Sequence, residues 1–567
     1  MRPLIPCMTL MLCAASALAA REVPADLVFE GDAIWTGTAT VEAIAVRGDK
    51  IVYVGPRAGA EALIGPATRV RDVTGKLVMP AFHDAHVHPV IGGMGLLKCD
   101  LTDIPTRAEV LKTIRTYAAA HASDAWVTGG GWALPLYPDG NPHRTELDSV
   151  VADRPAYLQA QDGHSAWANT KALELAHVTR ETPDPPLGKI ERDADGTPSG
   201  TLRESAMGLV DAFVPAATDA ERLAGLKTAL ALAARLGICA LTEAAADQDT
   251  LKAYRTLEAH GELTARISIS YQLDPAKGSA QVADLVHLQR KLYGPHLRLA
   301  GAKLFADGVI ESRTAGLIEP YLGTHDTGIL NWKPDEMRRT IDQLDRTGMQ
   351  VHVHAIGDGA VRETLDAIEA ARRARPDQDC RHQIAHLELI APSDLARFHA
   401  LHVVADFQPL WAQADPWVTQ LTVPLIGQER ASRLYPIHST LHAGAVVVAG
   451  SDWPVTSLNP LEAIQTAITR AGVDKLARTR APLNPHEAVT LPEVLAMYTS
   501  TAAWLNHWEA VTGTLEVGKS ADVIVVDRNL FALPPAQIHE ARVLLTVFEG
   551  HTIYEKGVTA EPAVGRR

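Results

Sequence analysis

The length, charge and composition of the chain exclude several classes of protein. Its 567 residues exceed the usual size of one domain, so we expect several structural units around a large buried core. The formal net charge of −14, from 53 Lys and Arg against 67 Asp and Glu, argues against non-specific binding to nucleic acid or an anionic membrane. Hydrophobic residues at 47% and charged residues at 21% fit neither a disordered chain nor a multi-span membrane protein. Histidine is unusually frequent, with 23 residues against 8 Phe and 11 Tyr.

Residues 1–20, MRPLIPCMTLMLCAASALAA, have the pattern of a secretory signal peptide. One basic residue precedes an apolar stretch that ends in small residues, with ALA at 17–19 as a cleavage pattern. We expect cleavage and export to the periplasm or the medium. A retained N-terminal membrane anchor is the alternative, although the apolar stretch is short for a membrane span. The three cysteines left after cleavage, at 99, 239 and 380, are too few for a disulfide framework.

Both ends of the mature chain are rich in short β-type runs. Near the N-terminus, LVFEGDAIWTG and VEAIAVRGDKIVYVG are broken by Gly and Asp, a hairpin pattern typical of antiparallel sheet. From Gly513 onward, GTLEVGKSADVIVVDRN and RVLLTVFEGHTIYEKG have the same character. We therefore predict one small β domain built from residues 21–75 and 511–567, with the middle of the chain inserted between its two halves.

The middle of the chain alternates short apolar runs with helical patterns. Thr218 and Glu221 form a capping-box pair at the start of one such helix, and Gly237 ends it before the next apolar run. Eight candidate strands follow this rhythm, at residues 79–88, 238–244, 265–273, 298–305, 349–356, 381–389, 402–409 and 445–453. Eight βα units in succession predict a closed, TIM-like (β/α)₈ barrel of the α/β class. No GxGxxG follows a strand, which disfavours an open nucleotide-binding sheet.

The region of the barrel is longer than the roughly 250 residues that a plain barrel needs. We assign its start to residues 76–94, an inserted subdomain over the barrel mouth to 95–205, and the remainder of the barrel to 206–510. The run PAYLQA inside the insert would be a ninth candidate strand if it belonged to the barrel. We prefer eight because the alternation of helix and strand begins only at Thr218.

Side chains that bind metals lie at the ends of several predicted strands, where barrel enzymes build their active sites. His86 and His88 are two residues apart at the end of the first strand, so both imidazoles share one face. The later strand ends contribute Lys303, His352 with His354, His382 with His386, and Asp452. Imidazole and carboxylate ligands together suit a divalent cation, and zinc is the leading candidate.

Lys303 needs its own explanation, because a protonated ammonium group beside a metal cation is repelled. It would be either neutral or converted by CO₂ to a carbamate, which is an anionic, bridging oxygen ligand. The alternative is that Lys303 stays protonated and binds a carboxylate of the substrate.

Several motifs in fixed order resemble those of the amidohydrolase superfamily, in the branch called amidohydrolase family 3, which includes YtcJ-like proteins and N-substituted formamide deformylases. They are FHDAHVHP, GAKLFADG, VHVHAIGDGA, RHQIAHLE, FQPLWA, GSDWPV and GTLEVGKSADVIVVD, and the resemblance begins near Ala25. It implies a β-sandwich built from both termini beside the barrel. It also implies one metal on His86 and His88, a carbamylated Lys303 that bridges to a second metal on His354 and His386, and Asp452 completing the site.

Two residues depart from the pattern of the family. His83 stands where an aliphatic residue usually precedes the Asp of the first motif, and Ala385 stands where the strand-six motif usually has glutamate. Neither change removes a ligand, but both leave the substrate preference open. His352 and His382 are interpreted as neighbours of the ligands or as substrate contacts, with a purely structural role as the alternative.

The expected function is hydrolysis of a carbon–nitrogen bond other than a peptide bond, in an N-formyl, N-acyl or cyclic amide. One or two divalent ions would lower the pKa of bound water from about 15.7 to about 7, so that hydroxide attacks the carbonyl. Asp452 would take the proton and later protonate the departing nitrogen. The candidates for substrate binding are Trp132, His164, Arg313, His382 and Gln408.

Other functions are weaker matches. An esterase or lactonase would use the same site, and a catalytically inactive binding protein would keep the same barrel. A serine hydrolase is disfavoured because GHSAW has Trp167 where the nucleophile elbow needs Gly. HQIAH lacks the glutamate of HExxH, which excludes a zincin protease. The expected partner is a small-molecule substrate without nucleic acid or membrane, and a homodimer is left open.

Overall fold

The N-terminal part of the protein forms five strands and one short helix. The computed structural model describes residues 23–292, 294–474 and 479–558, so the predicted signal peptide lies outside the described residues. The elements are β1 (Leu27–Trp35), β2 (Thr40–Arg47), β3 (Lys50–Gly55), α1 (Arg57–Glu61), β4 (Arg69–Asp72) and β5 (Leu77–Pro80). Strand β1 pairs antiparallel with β2 and parallel with β4 and β5, which places it inside the sheet.

The chain then enters the barrel and leaves it for an insert with its own sheet. The barrel begins with β6 (Phe82–Val87) and α2 (Pro89–Gly95). The insert comprises β7 (Cys99–Asp100), α3 (Arg107–Ala120), β8 (Val127–Trp132), α4 (Arg144–Asp148), β9 (Ala156–Ala160), β10 (Ser165–Ala168), α5 (Thr170–Leu175), β11 (Gly188–Arg192), β12 (Pro198–Glu204) and α6 (Gly208–Asp211). PAYLQA forms β9 and pairs with β8 and β10, so it belongs to the insert and not to the barrel. The domain boundaries themselves stay a prediction.

The remaining barrel elements alternate strand and helix as predicted. They are α7 (Asp219–Arg235), β13 (Ile238–Ala246), α8 (Gln248–Ala259), β14 (Arg266–Gln272), α9 (Val282–Gln289), β15 (Leu297–Phe305), α10 (Pro334–Arg346), β16 (Gln350–Ala355), α11 (Asp358–Ala374), β17 (Gln383–His386), α12 (Leu395–Ala400), β18 (Val404–Phe407), α13 (Val423–Ala431), α14 (Ile437–His442), β19 (Val447–Ala449), α15 (Pro460–Thr469), α16 (Leu491–Met497) and α17 (Ser500–Leu505). Among the helices of the described residues, none has both the length and the apolar character that crossing a membrane requires.

Eight parallel strands form the barrel sheet in the order β19-β18-β17-β16-β15-β14-β13-β6. The prediction of a TIM-like barrel with eight strands is therefore confirmed. Backbone hydrogen bonds just beyond β19 connect the last strand to the first: the N–H of Asp452 donates to the carbonyl of His86 at 2.7 Å, and the N–H of His88 donates to the carbonyl of Trp453 at 2.9 Å. These bonds hold the ends of the first and last strands side by side.

Amphipathic helices cover the outside of the barrel. In α7, Thr218 and Glu221 form the predicted capping box, while Leu226 and Leu230 are buried. In α10, the buried face includes Leu344 and two further apolar side chains one and two turns earlier. Apolar residues at this helical spacing cover the strands from outside, which is why the barrel strands are buried on both faces.

The C-terminal strands return to the sheet in which the chain began. They are β20 (Val523–Val526), β21 (Val543–Phe548) and β22 (His551–Glu555). Strand β20 pairs antiparallel with β5, so that the sheet order is β22-β21-β20-β5-β1-β2-β3 with β4 beside β1. Strands from both termini thus lie in one sheet, although almost the whole barrel separates them in sequence. The layering of this sheet into a β-sandwich stays a prediction.

Arg266 connects the barrel to this terminal sheet. It is the first residue of β14 and only 1% exposed. Its guanidinium donates hydrogen bonds to the Asp522 carboxylate, to Ser520 Oγ at 3.0 Å and to Glu549 Oε1 at 2.8 Å. Since a buried charge is costly unless it is paired, these groups depend on one another.

We expect Arg266→Met to lower the free energy of unfolding by about 3–5 kcal/mol, because the buried Asp522 carboxylate would lose its cation. Urea unfolding measures the change. Arg339→Met is the matched control, because Arg339 is 60% exposed and pairs with Glu336 on the surface of α10. That control should leave the unfolding midpoint unchanged, and an equally small effect of Arg266→Met would contradict the interpretation.

Candidate active site

A cavity of about 1170 Å³ opens at the C-terminal ends of the barrel strands, below the insert. Barrel and insert both line it. The predicted metal ligands all face this cavity, namely His86, His88, Lys303, His354, His386 and Asp452. The structure therefore brings together side chains from five barrel strands, as the strand-end positions predicted, while their individual roles stay predictions.

His86, His88 and Asp452 meet where the barrel closes. Oδ1 of Asp452 lies 3.0 Å from Nε2 of His88 and 3.5 Å from Nε2 of His86. One ligand atom from each residue fits within a group whose members are at most 4.8 Å apart. Nδ1 of His88 and Oδ1 of Asp452 are buried and have no hydrogen-bond partner among the described residues. Buried polar atoms of this kind are suited to a bound cation.

His86 also contacts a second layer of residues behind it. Its Nδ1 lies 2.9 Å from Nε2 of His352, and Nδ1 of His352 lies 3.0 Å from Ser270 Oγ. Oδ2 of Asp406 lies 3.7 Å from Nδ1 of His86. His352 does not line the cavity, so it contacts a predicted ligand and orients it from behind.

Lys303 lies in the middle of this group and is completely buried. Its Nζ lies 3.4 Å from Nε2 of His86 and 4.9 Å from the centre of the Phe305 ring. Burial lowers the pKa of Lys303 to about 8, although the carboxylates of Asp452 and Asp406 oppose this shift. The side chain therefore carries a larger neutral fraction near neutral pH than an exposed lysine does.

His354 and His386 form the other side of the group, with ring centres 4.5 Å apart. Nε2 of His354 donates to the carbonyl of Gly308 at 3.1 Å, which leaves Nδ1 with its lone pair. Nδ1 of His386 donates to Oε1 of Gln408 at 2.8 Å, which leaves Nε2 with its lone pair. The His386 ring also stacks on Trp411 at 5.3 Å with an angle of 6°. These partners hold both rings in one tautomer and orientation.

The protonation of the histidines follows from burial and charge. Burial, together with neighbouring basic groups, lowers the pKa of four imidazoles well below 6.5: His86, His352, His354 and His386. Neutral imidazoles are the form that binds metals. Burial also lowers the pKa of His88, but its contacts with Asp452 and Glu243 outweigh that effect and raise the pKa to about 9.

The insert contributes a charged pair to the cavity. Nδ1 of His164 lies 3.0 Å from Oε2 of Glu204, and the His164 ring centre lies 5.4 Å from that of His354. Burial lowers the pKa of His164, but the Glu204 carboxylate outweighs it and raises the pKa to about 9. A protonated His164 therefore faces the predicted ligands from the insert, which agrees with its selection as a substrate contact.

The structure places four other predicted substrate contacts away from the lining of the cavity. Trp132 is completely buried in the core of the insert, where its Nε1 donates to Leu158 at 2.9 Å. His382 lies next to the start of β16 and immediately before β17, at the end of the barrel opposite to the cavity. Its Nε2 lies 3.0 Å from Oδ1 of Asp345. Arg313 is exposed outside the cavity. Gln408 contacts His386 instead of the cavity.

Several acidic residues of the site were missed from the sequence. Glu243, whose Oε1 lies 3.5 Å from His88 Nδ1, and Asp406 lie on the second and seventh barrel strands. The strand-end rule that selected Asp452 also applies to these two acids and would have found both. Asp84 accepts hydrogen bonds from the N–H groups of His86 at 3.1 Å and Ser451 at 3.0 Å, and burial raises its pKa to about 7. Its contacts cross between the first and last strands, which sequence spacing does not reveal.

The two departures from the motif pattern lie outside the cavity. Ala385 is completely buried, and His83 is 1% exposed with no hydrogen-bond partner for either ring nitrogen among the described residues. Burial, with a smaller contribution from Arg266, lowers the pKa of His83 to about 3. Since strand β6 alternates its side chains, His83 faces away from the face that carries His86.

We expect His83→Leu to stabilise the protein, because leucine removes buried polar atoms without partners at similar volume. Folded His83 stays neutral, whereas the unfolded chain takes up a proton below pH 6.5, so the wild type loses stability as the pH falls. The gain should therefore be larger at pH 5.5 than at pH 8 by about 1.4 kcal/mol in urea unfolding. An equal gain at both pH values would contradict this account.

Several known proteins are similar to this chain in sequence. The amidohydrolase family profile matches residues 69–554. Protein LONG AFTER FAR-RED 3 of Arabidopsis thaliana is 30% identical over 546 residues, covering 94% of this chain and 92% of that protein. N-substituted formamide deformylase of Arthrobacter pascens is 28% identical over 530 residues, covering 91% and 95%.

A solved structure extends the similarity to three dimensions. An uncharacterized metal-dependent hydrolase from Pyrococcus furiosus has a TM-score of 0.68 and 27% identity, over 89% of this chain and 99% of that one. Together with the profile match, this confirms the resemblance that the motifs indicated.

Proposed function

The chain belongs to the amidohydrolase family, and we propose that it hydrolyses an N-formyl or N-acyl amide of an amine at the mouth of its barrel. Its general class is a metal-dependent hydrolase of carbon–nitrogen bonds other than peptide bonds. The choice of amide is our inference. Its support is the deformylase relative, together with a cavity large enough for a small organic amide.

The convergence of neutral imidazoles, a buried lysine and Asp452 on one cavity carries the proposal. Zinc prefers imidazole nitrogen and carboxylate oxygen, so this donor set fits it. His86, His88 and Asp452 would hold one ion, and His88 would have to release the proton that Asp452 and Glu243 favour on it. His354 and His386 would hold a second ion through the nitrogens that their hydrogen bonds leave free.

Lys303, after reaction of its neutral amine with CO₂ and loss of a proton, would supply an anionic carbamate oxygen as a metal ligand. A carbamate forms from the neutral amine, and burial increases the neutral fraction of Lys303. As a carbamate, the side chain would no longer be a buried cation beside four imidazoles. The position of Lys303 against His86 favours the role of a metal ligand over contact with a carboxylate of the substrate.

The residues of the chain would divide the remaining work of hydrolysis. A divalent metal, when bound, would lower the pKa of water and polarise the carbonyl. Asp452 would accept the proton of the attacking water and pass it to the departing nitrogen. His164, with Nδ1 engaged by Glu204, would donate from Nε2 to an oxygen of the substrate and fix its position.

A hydrolysis screen tests the proposed activity. Purified protein is loaded with Zn²⁺ or Mn²⁺ and incubated with N-formyl and N-acyl amines, with cyclic amides and esters for comparison. We expect release of free amine, its loss after chelation, and its recovery on return of the metal. Protein that binds no metal, or that cleaves only esters, would contradict the proposal.

Asp452→Asn should retain bound metal, because the amide oxygen of asparagine still occupies the ligand position. The asparagine side chain cannot accept and transfer the proton, however. We expect hydrolysis to fall by about 10³-fold or more. Metal content and turnover are measured on the same sample. Parental turnover of amides by this variant would show that another group acts as the base.

Gln408→Ala should weaken metal binding about 10–100-fold, because His386 would lose the partner that fixes its ring. Competition with a metal chelator of known affinity measures the change. Gln537→Ala, at an exposed glutamine far from the barrel mouth, is the control and should bind metal as the wild type does. Equal affinity in both variants would remove Gln408 from the site.

We also propose that the protein is exported after cleavage of residues 1–20, as their composition indicates. N-terminal sequencing of the mature protein tests this directly. An N-terminus at Met1 in the exported protein would favour the membrane anchor instead.

A further inference from the structure

Three carboxyl groups line the cavity away from the predicted metal ligands, and we refer to Glu311, Glu388 and Asp415 as the acidic wall. They follow three barrel strands on the same side of the mouth: β15, β17 and β18. Asp415 and Glu311 accept hydrogen bonds from one short segment, Trp417–Thr422, which places them near each other. Besides burial, repulsion by these two carboxylates raises the pKa of Glu388.

Within the described part of the chain, the acidic wall makes no direct ion pair, although the charge of Arg480 acts on Asp415 from a distance. Among the described residues, none of the three carboxylates has a Lys or Arg nitrogen within 4.0 Å. Arg480, which also lines the cavity, lies 3.5 Å from Asp474. A buried acidic group without a cation is costly, so its presence here calls for a ligand that neutralises it.

Glu388 points most directly to such a ligand. It is 3% exposed, it lines the cavity, and its Oε2 has no hydrogen-bond partner among the described residues. By contrast, Glu311 accepts a hydrogen bond from the Thr422 hydroxyl, and Asp415 accepts one from the N–H of Val418 at 3.0 Å. Glu388 therefore offers a buried acceptor oxygen that the protein itself leaves unused.

Aromatic side chains surround the same part of the cavity. Trp411, Trp417 and Tyr435 line it, and the charges of Glu388, Glu311 and Asp415 all act on the Tyr435 hydroxyl. Carboxylates beside aromatic faces are a favourable environment for an organic ammonium group. An inorganic ion would use the carboxylates alone, whereas an alkylammonium or arylalkylammonium group would use both kinds of side chain.

We propose that the acidic wall binds a protonated amino group of the substrate, so that the favoured substrates are N-formyl or N-acyl amides that carry a second, cationic amine. This inference rests on the proposed amide hydrolysis. Ionisation of all three carboxyls is opposed by burial, which raises the pKa of Glu311 to about 7 and of Asp415 to about 6. An ammonium ion would favour their charged forms.

Matched substrates test the inference. N-formyl-1,4-diaminobutane carries a cation, whereas N-formylpentylamine has a similar length and no charge. We expect the metal-loaded enzyme to favour the cationic amide about tenfold or more in kcat/KM. The double variant Glu311→Gln, Asp415→Asn should reduce that ratio to near unity. Asp335→Asn, at an exposed residue of α10, should preserve the ratio.

Binding of benzylammonium and of benzyl alcohol, measured by calorimetry, separates this inference from the proposed function. Selective binding of benzylammonium without amide hydrolysis would support the acidic wall and overturn the proposed hydrolysis of amides. Hydrolysis of both amides at equal kcat/KM, without benzylammonium binding, would overturn the acidic wall alone. A third outcome is that Ca²⁺ displaces bound benzylammonium from the metal-loaded enzyme but not from the double variant. This outcome would assign the acidic wall to an inorganic ion and would also overturn the inference.

Discussion

The closure of the barrel between its first and last strands is the constraint on which the site depends. Two backbone hydrogen bonds join His86 and His88 to the segment that carries Asp452. Asp84 adds a third connection through Ser451. The same bonds that complete the sheet therefore hold a histidine pair and a carboxylate in contact. A shift of one residue in this register would turn the predicted ligands away from the cavity.

A second consequence of closure is the crowding of buried basic groups at the bottom of the cavity. His86 lies against His352, His386 and Lys303, and His354 lies against His386. Burial disfavours the charged form of each of these five groups. Hydrogen bonds to Gly308 and Gln408 orient two of the rings from outside. Such a cluster gains little stability for the fold by itself, since each group loses its hydration. Its arrangement is better explained by the binding of a cation than by packing.

The sequence predicts the barrel well because the strands, the helices and the residues that begin and end the helices form a repeating pattern. Gly237 and the capping box at Thr218 mark one helix in both sequence and structure. Residues whose role depends on which end of a strand they occupy are harder to assign. His386 ends β17, whereas His382 immediately precedes that strand and meets Asp345 at the opposite end from the cavity. Trp132 likewise shows that a large aromatic residue in an insert packs in its own core unless the fold opens a cavity beside it.

Contacts between residues that are distant in sequence are the least predictable part of the site. Within the insert, Glu204 ends β12, whereas its partner His164 lies in the loop between β9 and β10. No spacing in the sequence therefore connects the two residues. Asp406 and Glu243 were within reach of the same reasoning that found the histidines. Unlike Asp452, they do not belong to the ligand set that the motifs imply. Acidic residues at these ends carry as much information as histidines do, because ligands and their partners need both.

The pairing of β5 with β20 affects how the protein is made. Leu77–Pro80 emerges from the ribosome long before Val523–Val526, and its edge stays unpaired until the barrel has been synthesised. Long-range strand pairing of this kind folds slowly, and an unpaired edge is prone to aggregation. During synthesis, a sheet made of the N-terminal strands alone would leave its β5 edge open as well as its β3 edge. A chaperone that covers the β5 edge would protect the nascent chain until its last strands arrive.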